Sequence, residues 1–370
     1  MVDLDETFVY DSITHAYNMA PSNYRNERHA EGIVGMLAGN TDIGPPEYHL
    51  SPEGFIRDWG VEETANMLFR ESQTDMSTFQ PVPMYAFHDG LVANEKAAAV
   101  VDRWPDRFRA YAAIDPLREG WEAHLEDQAE QFDPLGVKLY PSHWTEDHYE
   151  GWSMGDPEVA FPVFEKAVDM GIDRIDIHKA IPFGPVPRSD YHPGDVDVAA
   201  ESFPDIDFSI VHAGVAFAEE TAWQLARFPN VYANLENTAC LVNTRPKKFA
   251  RALGEMLYWA GPDRIVFSSG ATALHPQPPI DAIWDFEMPE DLRAGEDYPE
   301  VTQEDKEKIL GKNKLRLMGK DPEQVKKDIK GDKWDKKIQE LKERGEYPAP
   351  PWSTYEEATE VDSKERVRFV

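Results

Sequence analysis

The sequence is poor in cysteine, in basic charge and in long apolar runs, and each shortage removes a class of function. Cys240 is the only cysteine in 370 residues, so no disulfide forms within the chain and a reducing, cytoplasmic setting is expected. Lysine and arginine number 38 against 69 aspartates and glutamates, a formal net charge of −31. A polyanion of that size repels DNA and anionic lipid, which argues against nucleic-acid or membrane partners. No apolar stretch approaches the roughly 20 residues of a membrane span. Met1 to Thr7 is acidic and lacks the basic start and apolar run of a signal peptide. No Gly-x-Gly-x-x-Gly follows any strand-like segment, which counts against a dinucleotide-binding fold.

What is present is an apolar content of 41% with 10 Trp, 14 Tyr and 18 Phe, ample for a large core. Strand-like and helix-like segments alternate. Thr7 to Tyr10 reads as a strand ending at Asp11, followed by a Pro/Asn/Gly-rich stretch from Asn18 to Gly54 too irregular for regular structure throughout. Val61 to Glu71 is helical in pattern, and Val82 to Phe87 reads as the second strand. From there helices at Glu95–Arg103, Trp121–Gln131, Phe161–Met170, Glu219–Arg227 and Pro246–Ala260 alternate with strands centred on Phe108, Val137, Ile175, Ser209, Tyr232 and Val266. Counting Phe8 and Val82 as the first two centres, eight strands joined mostly by helices predict an α/β fold, a closed (β/α)8 TIM-type barrel.

Composition changes after that. Six lysines precede Val301, and twelve lie between Lys306 and Lys342. Thr302 followed by Asp305 predicts a capped helix ending near Gly319. A second charged helix is expected over Asp321 to Gly345, interrupted at Gly331, and then the Pro-rich arm Tyr347 to Trp352. The expected division is a barrel over residues 1–320 and an extension over 321–370. The extension reads either as a solvated strap or as a docking or dimerisation arm anchored by Trp334, Trp352 and Tyr355. The acidity reads either as a means of solubility or as a surface for a basic protein partner.

In such a barrel the chemistry gathers at the C-terminal ends of the strands. His15 follows the first strand, His178 ends the fifth, His212 ends the sixth, and Lys138 lies on the fourth. One histidine there is usually structural; three at successive strand ends make a transition-metal site, which calls for imidazoles converging on one mouth.

These residues sit within pieces that resemble the amidohydrolase superfamily, in its amidohydrolase-2 branch, which includes non-oxidative aromatic decarboxylases. The pieces are Asp11 to His15, Gly136 to Tyr140, Ile175 to His178, Val211 to Gly214, Gly261 to Phe267, and Glu304 to Gly311 with Asn313 and Leu317 behind it. They run in the family's order over roughly residues 8 to 320. The resemblance fails at two positions. The family's first strand carries Asp-x-His-x-His, and Ile13 stands where the first of those histidines belongs. The family's eighth strand is followed by a metal-binding aspartate, and here Ser268-Ser269-Gly270 puts glycine in its place. Neither isoleucine nor glycine binds a metal or moves a proton.

The surviving set implied by the resemblance is His15 and His178 with Glu236 as metal ligands, His212 and Lys138 as catalytic groups, and a divalent ion, zinc if any. Asp11 and Asp176 are placed to orient ligands. Against this stands the reading of the histidines as hydrogen-bonded relics. Weaker candidates are His275, His143, Trp144 and Arg188, each as readily a solvated or packed residue, and Cys240, which reads as a buried thiol. Three functions follow: a metal-assisted hydrolase or carboxy-lyase acting on a small carboxylated, perhaps aromatic, compound; a degenerate barrel serving as an accessory protein through its acidic surface and tail; and a metal-free lyase using Lys138 and the histidines. A homo-oligomer is the family's common state.

Overall fold

The computed structural model describes residues 7–41, 43–213 and 215–353. Gly214 of the sixth-strand motif, and Tyr355 with the rest of the extension beyond 353, lie outside them.

Eight barrel strands run in parallel. They are β1 (Tyr10–Thr14), β2 (Met76–Phe79), β3 (Phe108–Ala110, continued as Ala112–Ala113), β4 (Val137–Leu139), β5 (Arg174–His178), β6 (Asp207–Val211), β7 (Val231–Asn234) and β8 (Ile265–Val266). Each pairs with the next, as in Lys138 beside Asp176 across β4 and β5. The ring closes where the Ser12 amide donates to the Phe267 carbonyl at 3.1 Å and Thr14 bridges Ala271. The expected fold class is therefore the observed one.

The helices lie close to where the sequence pattern puts them: Asn94–Arg103, Trp121–Gln131, Phe161–Asp169, Ala218–Arg227 and Pro246–Ala260. Their apolar faces pack on the strands in one core that includes Val137, Ile175, Phe208 and Leu253.

The two N-terminal strands need correction. β1 does not stop at Asp11 but runs through it. The carboxylate is buried and held by the Ser269 amide at 3.0 Å and hydroxyl at 2.5 Å, so it continues the strand instead of breaking it. β2 is Met76–Phe79 and not Val82 to Phe87. Pro81 and Pro83 punctuate that later segment, and proline has no N–H to give a ladder. Ser77 and Thr78 disguise the true strand; their hydroxyls pair with Thr14 and Tyr10 at 2.9 Å inside the barrel. The irregular stretch also holds an unforeseen helix, Glu27–Ala38, capped by Asn26 and burying Ile33, Val34 and Leu37.

The extension is built into the barrel. Thr302 and Asp305 cap each other reciprocally, and the helix they start continues through one wide turn at Lys308–Lys312 into Asn313–Leu317. A Cβ on Gly311 would lie 2.1 Å from the Phe8 carbonyl, so only glycine lets this helix close the start of β1. Helices Pro322–Asp328 and Lys333–Arg344 follow, each capped by the aspartate before it. Val325 and Ile329 pack on Phe8, Tyr10 and Met76, and Trp334 is fully buried against Phe69 and Trp104. Trp352 packs against Trp59 and His275. The strap is therefore packed, not solvated, over its described length. No helix among the described residues is long and apolar enough to cross a membrane.

Candidate active site at the barrel mouth

The strand ends bring Lys138, His15, His178, His212 and Glu236 to one mouth. Each is at most 2% exposed. The backbone there is strained. Ala180, His212 and Asn237 have φ of 66°, 65° and 56°, three of the five non-glycine residues with positive φ in the described chain. They lie within three residues of the ends of β5, β6 and β7. Such conformations cost about 1–3 kcal/mol each and persist where surrounding structure enforces them.

The hydrogen bonds fix the proton positions. His178 Nε2 lies 2.8 Å from the Ile181 carbonyl. A carbonyl only accepts, so Nε2 carries the proton. In a neutral ring the His178 Nδ1 then accepts, and the His212 Nε2–H donates to it at 3.0 Å. The His212 Nδ1 lies 3.2 Å from both the Glu236 carbonyl and the Asn237 side-chain amide nitrogen. Burial, reinforced by the charge of Lys138, pushes both imidazoles down, His178 well below the ordinary histidine range. The two rings thus form a hydrogen-bonded pair held between the Ile181 and Glu236 carbonyls.

His15 holds the other side. Its Nδ1–H donates to the Gln80 carbonyl at 2.7 Å, and its Nε2 approaches Glu236 Oε1 at 3.4 Å without a hydrogen-bond partner among the described residues. The second oxygen of Glu236 is 3.7 Å from His212 Nε2. Burial works against the Glu236 anion, but His212, His15 and Lys138 together outweigh it and keep the carboxylate ionised. Lys138 is the least satisfied group. Its Nζ is fully buried with no hydrogen-bond partner among the described residues; burial pushes its pKa down, and Glu236 and Asp176 oppose that shift.

The two altered positions adjoin one another. The Gly270 amide donates to the Ile13 carbonyl at 3.3 Å across the β8–β1 seam. Gly270 has φ of 75°, and a Cβ there would lie 2.9 Å from Glu236 Oε1. The Glu236 carboxylate, arriving from β7, occupies the space a side chain at position 270 would enter. Asp11 secures that arrangement through Ser269, and burial pushes its carboxyl up to about 7.

Whether a metal fits can be judged from the donors. Among the described residues, no group of three or more His, Cys, Asp or Glu side chains is gathered to hold a metal ion. The expected triad of His15, His178 and Glu236 does not surround one point. His178 has both ring nitrogens engaged and sits behind His212, while His15 meets Glu236 alone. As arranged, the donors satisfy one another in a chain and do not fit the ion.

The remaining candidates are elsewhere or structural. His275 is buried 3.4 Å from Glu71 and packs on Trp352. His143 pairs with Asp115 at 2.6 Å, and Trp144 packs on Tyr149. Arg188 stands over the Phe217 ring. Burial pushes the Cys240 thiol up, which leaves it unreactive. Sequence reading missed Gln80, Asn237 and Tyr140, whose ring stacks on His178 at 4.5 Å. A polar residue directly after a strand was the available signal for Gln80, hidden by the misplaced second strand. A cleft of about 440 Å³ is lined by Gly151, Asp156, Asp190 and Asp195 among others, and by none of the five mouth residues.

A family model described as Amidohydrolase matches residues 41–320. No curated protein matches the sequence. Among solved structures, an uncharacterized TIM-barrel protein from Bordetella bronchiseptica is similar with a TM-score of 0.56 and 18% identity, covering 84% of this chain and 98% of its own. A 2,6-dihydroxybenzoate decarboxylase from Rhizobium gives 0.53 and 14%, covering 84% and 99%. A dihydroxybenzoic acid decarboxylase from Polaromonas, with bound manganese and 2-nitroresorcinol, gives 0.51 and 15%, covering 84% and 97%. At these identities the likeness establishes the shared fold.

Proposed function

This chain belongs to the amidohydrolase family, and on that premise we propose that it is a carboxy-lyase acting on a small carboxylated, aromatic compound at the barrel mouth. The observation that carries the reading is Lys138, a buried ammonium without a hydrogen-bond partner among the described residues. An unpaired buried cation is costly, and a bound carboxylate satisfies it. The decarboxylases among the structural neighbours support this substrate class.

Lys138 binds the carboxylate. When the carbon–carbon bond breaks, its electron pair stays on the ring carbon, carbon dioxide leaves, and the carbon takes a proton. His212 delivers it. The substrate's negative charge raises the proton affinity of this otherwise neutral imidazole, and the imidazolium so formed is the acid. The mouth is closed, with its key side chains at most 2% exposed. A site closed to bulk water favours loss of carbon dioxide over attack by water, which supports reading the reaction as decarboxylation. No observation favours the accessory-protein alternative.

The test is incubation of the full chain with a panel of hydroxybenzoates, following carbon dioxide and product. Release of carbon dioxide is expected, and Lys138→Met lowers kcat/KM by about 10²–10³-fold, the usual effect of removing one charge-stabilising donor. An aromatic ester or lactone added to the panel and opened to a new acid, with no carbon dioxide from the hydroxybenzoates, would make the enzyme a hydrolase. Failure to bind or convert any panel member would sink the reading.

A further inference from the structure

We propose that in this barrel the Lys138 ammonium takes the place of a metal ion, supplying the positive charge around which the mouth is organised. Three observations meet here. First, the Lys138 side chain enters the mouth from β4, beside Asp176 on β5, fully buried and without a hydrogen-bond partner among the described residues. Its charge is felt by Glu236, His178 and His212. A second, divalent charge among those same groups is repelled by it.

Second, the nitrogen donors face each other. His212 and His178 share one hydrogen bond at 3.0 Å, and His178 Nε2 is anchored on Ile181. Third, the mouth has lost carboxylate capacity where it would neutralise a divalent ion. Position 270 is glycine, and its space is filled by Glu236, so one carboxylate stands where two would otherwise meet. Glu236 and Asp176 face the ammonium, and no further carboxylate enters at position 270 to compensate a divalent ion beside it.

The inference shares Lys138 with the carboxylate reading but does not depend on any substrate. Metal uptake tests it, and carbon dioxide release tests the function. The full chain, purified without chelators, is equilibrated with manganese or zinc chloride, and bound ion is measured by calorimetry and elemental analysis. The wild type is expected to retain less than about one tenth of an ion per chain. Lys138→Met, or Lys138→Gln if the former does not fold by circular dichroism, is expected to bind at least about ten-fold more ion at the same concentration, because the repelling charge is gone. Lys138→Arg keeps the charge and stays empty. One tightly held ion per wild-type chain would overturn the proposal. So would neutral variants that bind no more than wild type, or an arginine variant that binds as much as the methionine one.

Discussion

Lys138 and Lys179 are both fully buried, yet they meet opposite fates. Lys179 lies one residue past β5, outside the mouth, and donates to the Asp190 carbonyl and the Asp195 carboxylate, each at 2.8 Å. Lys314, entering from the helix that closes the other end of the barrel, donates to the Tyr111 hydroxyl at 3.2 Å. At that end Arg107 also pairs with Asp332 at 2.6 Å. A fourth buried lysine, Lys306, donates to the Trp284 carbonyl at 2.7 Å, and Lys138 alone of the four lacks a hydrogen-bond partner among the described residues. At the mouth, the Lys138 ammonium and the His15 Nε2 both lack a hydrogen-bond partner among the described residues, and Lys138 is the buried cation among them.

The comparison can be broken in several ways. Trp334→Ala, at the closed end, is expected to destabilise the protein by roughly 3–5 kcal/mol, because a fully buried tryptophan leaves a cavity among Phe69 and Trp104. Trp334→Phe costs far less, since the indole N–H makes no hydrogen bond among the described residues. Chemical denaturation of the two variants measures the difference. Equal losses would mean that the extension does not carry the core it is packed into.

A pH effect of intermediate size comes from Asp11. Its carboxyl titrates at about 7 when folded against an ordinary value of 3.8, mainly through burial. The folded state therefore binds more protons than the unfolded state between those values. The contribution is fully present below about pH 4 and lost as pH rises through about 7. Stability is expected to fall by roughly 2–3 kcal/mol between pH 5 and 7 from this group alone. Asp11→Asn should flatten that slope, and denaturation at several pH values reads it directly. An unchanged slope would assign the pH dependence to other groups.

The smallest effect tests the lysines themselves. Lys179→Met strands the Asp195 carboxylate, about one fifth exposed, and is expected to cost about 2 kcal/mol, below the usual range for a deeply buried pair. Lys138→Met removes no hydrogen bond and relieves a buried ammonium but leaves Glu236 and Asp176 facing less positive charge, so its net cost is expected at about 1 kcal/mol, below that at Lys179. A larger loss at Lys138 than at Lys179 would mark it as a structural residue and undo the contrast.

Much of this was readable along the chain. From Phe108 onward strands and helices carry distinct periodicities, so six of the eight strands and most helices lie where the pattern puts them. The N-terminal part was harder because its cues are tertiary. Asp11 looks like a strand stop until Ser269, more than 250 residues later, satisfies it. Met76 to Phe79 looks too polar until its hydroxyls find Thr14 and Tyr10. The site was legible as membership and not as arrangement. His15, His178, His212, Lys138 and Glu236 do converge, because strand ends in a parallel barrel must. Nothing in their spacing says that His178 stands behind His212, or that Gly270 makes room for Glu236.

The sequence by itself therefore determined the barrel, since alternating apolar periodicity and parallel right-handed connections leave few other folds. It also determined which side chains reach the mouth, and that two positions there are isoleucine and glycine. Only the tertiary structure decided how those side chains are paired. Hydrogen bonds and buried charges depend on distances across strands far apart in the chain. At the mouth those distances leave the imidazoles bonded to each other and a lysine ammonium without a hydrogen-bond partner among the described residues.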